Sequence, residues 1–200
     1  EHVDQIEFAH ERMTEIIEDS LALARGGHEL TDPEPVDVET VANSAWQTAG
    51  SETATLVVEA TETLTADSDR LTRLFENLFR NSVEHGSTGS RPEADDSVEH
   101  GSTSNRAQPG DSVEHGSTAE DSTVTITVGN LDDGGFYVAD DGVGIPEDAR
   151  ETMFEAGETG SGSGSGLGLA IVRRIAEAHG WEVSLTESTG GGARFEFREA

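Results

Sequence analysis

Cysteine is absent from the 200-residue chain, which excludes a disulfide framework, a thiolate nucleophile and a cysteine-rich zinc site. Lysine is absent too: all 12 basic residues are arginines, set against 41 acidic residues for a formal charge of -29. No basic cluster interrupts that negative field, so nucleic acid and anionic lipid are excluded as partners. Carboxylates without ammonium neighbours repel one another unless salt screens them. This composition points to a salt-rich cytoplasm, such as that of a halophilic archaeon; a rise in the unfolding midpoint between low salt and molar KCl tests it. Aromatic residues make up 5% of the chain and hydrophobic residues 33%, which bounds the core to one or two small domains. No apolar run approaches the about 20 residues that span a bilayer, and the acidic N-terminal stretch does not read as a signal peptide. The expected compartment is therefore cytoplasmic, with any membrane attachment left to segments upstream of this one.

What is present is strongly patterned. Val3, Ile6, His10, Met13, Ile17, Ser20 and Ala24 recur at alternating spacings of three and four, the seam of a coiled-coil helix over residues 3–25 that needs a partner to bury it. Gly26-Gly27 ends that helix, and Pro33 and Pro35 stiffen a connector. Helical periodicity resumes over Asp37–Ala49, and a strand follows near Thr55–Glu59. After a cap at Asp67 or Ser68, Leu71, Leu74, Phe75, Leu78 and Ser82 mark one face of the clearest helix in the chain. Strands are expected at residues 124–128 and 136–139, a helix from near Glu147, a further helix over Leu167–His179, and two last strands, WEVSLTE and ARFEFRE, across the turn Gly190-Gly191-Gly192.

The segment SVEHGST occurs three times, at residues 82–88, 97–103 and 112–118. Its Glu84/His85, Glu99/His100 and Glu114/His115 pairs raise the idea of a metal array. The linker-like RPEADD and RAQPGD between them favour a mobile duplication over residues 86–120 instead, because no copy carries enough apolar surface to build a repeat fold.

Three segments carry candidate chemistry. Asn77 and Asn81, four apart, lie on one side of a helix and can reach one ligand; an amide oxygen suits Mg²⁺ that also binds phosphate oxygens. In DDGVGIP, residues 140–146, a strand delivers Asp140 into a glycine-rich bend, where its carboxylate can accept a purine amino proton while Gly142 and Gly144 permit close backbone approach. GSGSGSGLGLAIV, residues 160–172, places flexible backbone N–H groups before an aliphatic helix, an arrangement that accommodates phosphate. Taken singly, each has a plain structural reading: surface amides, a tight acidic turn, a linker.

Taken in order, the set resembles the ATP-binding domain of histidine protein kinases, within the gyrase/HSP90/histidine-kinase/MutL ATPase superfamily. NLFRNSVEH resembles the N box, DDGVGIP the G1 box, MFEAG the F box and GSGLGLAIV the G2 box. The resemblance covers most of residues 36–200. It implies an α/β two-layer sandwich with a mixed, mainly antiparallel sheet, here with an N-terminal coiled-coil helix, and neither a Rossmann domain nor a Walker P-loop. It implies ATP and Mg²⁺ as cofactors, with Asn81 as the Mg²⁺ ligand and Asn77 supporting the phosphate or metal shell. Asp140 becomes the adenine reader, Gly142 and Gly144 shape the base pocket, and Phe154 anchors the lid. Gly164, Gly166, Leu167 and Gly168 line the phosphate-side hinge. None of these residues is an acid–base catalyst. Hydrolysing relatives carry a glutamate where Asn77 stands, which favours phosphoryl transfer over hydrolysis. Glu84 and His85 depart from the commoner N box, which has a basic and an aromatic residue there, and Arg80 is a candidate to compensate.

On this resemblance, residues 1–27 are the second helix of a dimerisation and phosphoacceptor domain, incomplete here, and residues 28–200 the catalytic domain with its insertion. The H-box histidine has no counterpart: His10 sits in the apolar seam and His2 near the terminus. The implied function is transfer of the γ-phosphoryl group of ATP to a histidine on an upstream helix, of the same or a partner chain, for relay to a response regulator receiver domain, in a protein that dimerises. The alternatives are an anti-sigma-type serine kinase, against which the coiled-coil seam argues, and an ATP-binding regulatory module with little catalysis.

Overall fold

The computed structural model describes residues 33–86, 123–155 and 166–200. The helix expected at 3–25, the division of residues 1–27 from the rest, residues 87–120 of the repetitive insertion, His10 and Gly164 lie outside the described residues.

Strand β1 (Glu34–Asp37) leads into helix α1 (Val38–Ala49), whose first turn is capped by Asp37: its Oδ1 accepts the Thr40 N–H at 2.7 Å. The Thr40 hydroxyl, and after it this backbone N–H, hold the Asp37 carboxyl below its usual range. Strands β2 (Ala54–Val58) and β3 (Thr63–Ala66) follow, and then helix α2 (Ser68–Gly86). Of the two candidate caps for α2, Asp67 does the work, accepting the Arg70 N–H at 3.1 Å. Leu71, Leu74, Phe75 and Leu78 are fully buried, and Ser82 is buried beside them, so the face read from spacing is the face that packs. The rest of the sheet comes from β4 (Val124–Asn130), β5 (Phe136–Asp140), β6 (Trp181–Glu187) and β7 (Ala193–Glu199), with α3 (Gly168–Ala178) between β5 and β6.

The main sheet has the order β2-β4-β5-β7-β6; β2 and β4 run parallel, and every other pairing is antiparallel. Burial alternates along β4 and β7, so one sheet face meets the helices and the other stays half-exposed. The chain is thus an α/β two-layer sandwich with a mixed, mainly antiparallel sheet. Its centre is an aromatic chain: Trp46 meets Phe79 edge-on, Phe79 stacks on Phe75, and Phe75 touches Phe136, which stacks on Phe197 at 4.7 Å between ring centres. Such pairs add about 0.5–1.5 kcal/mol each beyond area burial and fasten α1 and α2 to the middle of the sheet.

Two expectations need correction. The connector containing Pro33 and Pro35 includes β1, which pairs antiparallel with β3 in a separate two-stranded ribbon; Pro35 is tolerated because a ribbon has free edges. The helix expected from Glu147 is instead two single 3-10 turns, Glu147–Ala149 and Thr152–Phe154. Neither turn has a side-chain cap or a buried residue to extend it, and Arg150 Nε is committed to the Ile145 carbonyl at 2.9 Å.

Candidate functional site

Asp140 ends β5, paired in register with Ile126, and its carboxylate is where three elements meet. Oδ1 accepts the N–H of Gly142 at 3.0 Å and of Ala193 at 3.1 Å, while Oδ2 accepts the Ser82 hydroxyl of α2 at 2.9 Å. The Asp140 carbonyl accepts the hydroxyl of Ser188, which also receives the N–H groups of Gly190 and Gly192. The turn between β6 and β7 is thereby sewn onto the end of β5. Burial pushes the Asp140 carboxyl above the usual carboxylate range; the bonds from Ala193, Ser82 and Gly142 oppose this, and the neighbouring Asp141 charge adds to it.

The glycines around Asp140 are there for contact. A Cβ on Gly142 would stand 2.8 Å from Gly86 Cα, at the end of α2. Gly144 has φ +69, and its Cβ would meet the Gly191 carbonyl at 2.6 Å. A Cβ on Gly192 would overlap the Asp140 carboxylate. Gly142 and Gly144 thus let the bend close against α2 on one side and against the β6–β7 turn on the other.

The second half of the site lies on α2 and at the start of α3. Asn77 is buried, and its Nδ2 donates to the Arg73 carbonyl at 2.8 Å. Its Oδ1 would be 3.2 Å from a Cβ on Gly168, and Asn81 Oδ1 would be 3.4 Å from the same point. The expected amide pair and the expected phosphate-side helix are therefore brought together, with the bare Cα of Gly168 against both asparagines. Gly166 turns into α3 at φ +69, and Leu167, the N-terminal flank of α3, supplies no side-chain cap. An amino end of this kind, whose dipole favours negative charge, is suited to phosphate.

Phe154 is half-buried and meets Phe195 of β7 edge-on, with ring centres 6.2 Å apart, which ties the F-box turn to the sheet. Glu84 is exposed, and Arg80 and His85 are half-buried, on the last turns of α2. No group of three or more His, Asp or Glu side chains suited to a metal occurs among the described residues. The donor set still fits Mg²⁺, which keeps several waters and takes one or two protein oxygens together with phosphate: the Asn81 amide oxygen is a hard donor at the amino end of α3. No helix among the described residues is long and apolar enough to cross a membrane.

Sequence reasoning missed four members of the site: Ser82, Ser188, Gly192 and Ala193. Ser82 stood in the apolar face four positions after Leu78, where a small side chain reads as filler. Its partner is 58 residues away. Ser188 and Ala193 carry no local signal, since their role depends on how the last hairpin docks.

Comparison with known proteins agrees with this geometry. The family described as histidine kinase-, DNA gyrase B- and HSP90-like ATPase matches residues 66–199, about two-thirds of the chain. Among solved structures, a mycobacterial sensor histidine kinase, MprB, is similar at TM-score 0.56 and 21% identity over 82% of this chain and 95% of that one. The ATP-binding domain of PrrB from Mycobacterium tuberculosis is similar at TM-score 0.55 and 22% identity over 84% and 96%. Full-length ShkA in complex with AMPPNP is similar at TM-score 0.65 and 27% identity, over 98% of this chain and 37% of that one. Comparison with curated protein sequences gives no match.

Proposed function

Since the chain belongs to the histidine kinase-, DNA gyrase B- and HSP90-like ATPase family and is an ATP-binding domain of histidine-kinase type, we propose that it is the catalytic part of a protein histidine kinase. Residues 28–200 form the catalytic domain, and residues 1–27 belong to a dimerisation and phosphoacceptor hairpin. In this reading Asp140 accepts the adenine amino proton, Gly142 and Gly144 bring the backbone to the base, and Asn77, Asn81, Gly164, Gly166, Leu167 and Gly168 surround the triphosphate. Phe154 anchors the lid segment. Asn81 would hold Mg²⁺, which would offset phosphate charge. An imidazole nitrogen of an acceptor histidine attacks the γ-phosphorus, the bond to the β–γ bridging oxygen breaks, ADP leaves, and the imidazole proton passes to solvent.

The observation that carries this reading is that one helix, α2, touches both halves of the site: Asn77 and Asn81 face Gly168, and the next residue, Ser82, bonds Asp140. That spacing suits an elongated ligand with an anionic end and a base. The solved relative in complex with AMPPNP supports nucleotide as that ligand. With Asn77 at the position where a hydrolysing relative has glutamate, no carboxylate is placed there to activate water, which supports transfer over hydrolysis.

A response regulator as onward acceptor, a homodimer as the working form, a cytoplasmic location and a salt-rich setting complete the proposal; the excess of 41 acidic over 12 basic residues supports the last. The deciding experiment offers the chain Mg-ATP and a separate helical hairpin bearing an acceptor histidine, in molar KCl. Acid-labile, alkali-stable phosphate on the hairpin is expected. Phosphoserine as product, or tight ATP binding without transfer, overturns the assignment.

A further inference from the structure

A carboxylate has about four acceptor positions, and three of those on Asp140 are filled from within the protein. Oδ1 takes two backbone N–H groups, from Gly142 and Ala193, and Oδ2 takes the Ser82 hydroxyl. The two donors on Oδ1 lie on the bend and on β7, whereas the donor on Oδ2 lies on α2, so the carboxylate is held from opposite sides and its plane is fixed. Among the described residues, one acceptor position, on Oδ2, is left. Ser82 itself is 5% exposed and follows Asn81, so a single turn of helix sets both where the phosphate half of the site lies and how the base-reading carboxylate is turned.

We infer that Ser82 is a positioning residue for base recognition: by occupying one position on Oδ2 of Asp140, it aims the remaining one at a single ligand N–H and makes the site selective for an exocyclic amine. This inference rests on the nucleotide reading above. Adenine offers an amino group at that edge, and guanine a carbonyl oxygen there, which would face the carboxylate lone pair without a proton between them. A buried site built to accept one hydrogen bond rejects a ligand that cannot donate it. The Ser82 hydroxyl also favours the ionised carboxylate, acting against the burial that pushes Asp140 up, so its loss moves the pH at which the acceptor is available.

The experiment compares the parent chain with Ser82→Ala and with Ser82→Cys, which keeps the side-chain shape and donates weakly. Calorimetry measures Mg-ATP and Mg-GTP binding from about pH 5 to 8, and carboxyl-carbon NMR follows Asp140 without nucleotide. The expected result for Ser82→Ala is an ATP affinity lower on the order of tenfold, GTP affinity nearly unchanged, and an Asp140 midpoint moved upward, with Ser82→Cys between the two. An unchanged ATP-to-GTP ratio together with an unmoved Asp140 midpoint overturns the inference while the nucleotide reading stands. Failure of the parent chain to bind ATP overturns the nucleotide reading itself, and is told apart because it needs no variant.

Discussion

Gly168 and Asn77 are separated by less than one side chain: a Cβ on the glycine would lie 3.2 Å from the Asn77 amide oxygen. Asn77 cannot retreat, because it is buried and its amide nitrogen is tied to the Arg73 carbonyl. The first turn of α3 is therefore seated on α2 closely enough that any side chain at position 168 must displace one of the two asparagines by a few tenths of an ångström.

Replacing Gly168 by alanine sets two effects against each other. Alanine favours helix by up to about 1 kcal/mol, while its methyl group pushes the start of α3 away from Asn77 and Asn81. The unfolding midpoint is expected to stay within a few degrees of the parent, whereas ATP affinity falls roughly tenfold, about 1.4 kcal/mol. Calorimetry and thermal unfolding on the same sample separate the two; unchanged affinity contradicts the placement of phosphate at this helix end.

Asn81→Ala removes the hard oxygen donor without touching the Asp140 network. ATP binding in excess Mg²⁺ is expected to weaken at least about tenfold, toward the affinity measured in EDTA. Metal-free binding should change little, because the base contacts are intact. A variant whose affinity still rises with Mg²⁺ as steeply as the parent's would show that the metal is held elsewhere.

The elements legible in the sequence were those whose signal is local. Strands β6 and β7 were read with their observed limits because alternation and a glycine turn mark both strands and their joint. The burial of Leu71, Leu74, Phe75 and Leu78 followed from spacing alone. Strands β1 and β3, four residues each, are too short to show a period, and Pro33 and Pro35 concealed the first. Within the site, Asn77, Asn81 and Asp140 were visible through ordered motifs. The bonds that orient Asp140 were not, since Ser82 lies 58 and Ala193 53 residues from it in sequence, and only the docking of α2 and the last hairpin brings them within reach.

His179 gives the fold a pH dependence with a definite sign. Its Nε2 accepts the Asp67 N–H at 3.0 Å and its Nδ1 lies 2.7 Å from the Ile175 carbonyl, so the neutral ring with hydrogen on Nδ1 satisfies both, and the ring stacks on Trp181 at 4.4 Å. Burial above all, with help from Arg70, holds its pKa below the usual 6.5, against the Ile175 carbonyl and the Asp67 charge. The folded ring binds a proton less readily than the unfolded one. Its stabilising contribution is therefore complete above the ordinary histidine range and is lost as pH falls through 6.5 toward the folded pKa, by no more than about 1.4 kcal/mol per pH unit. Urea unfolding between about pH 7.5 and 5.5 should show a decline that is shallower in His179→Gln. Equal slopes in the two proteins would contradict this account.

Gly134 and Gly135 lie side by side in the turn between β4 and β5 with nearly equal φ, +93 and +94, yet alanine should cost very different amounts at the two sites. At Gly134 a Cβ meets nothing within 4 Å, so Gly134→Ala incurs only backbone strain, about 1–3 kcal/mol. At Gly135 the Cβ would overlap the Phe197 carbonyl oxygen. That oxygen cannot swing aside: Phe197 pairs in register with Phe136, its other neighbour strand is β6, and its ring stacks on Phe136 in the core. Gly135→Ala therefore adds displacement of a central strand to the same strain, and the loss should exceed that at Gly134 by at least about 2 kcal/mol. Chemical unfolding of both variants under stabilising salt measures the difference directly. Equal losses would mean that β7 yields at Phe197 without cost, contrary to its place between two paired strands.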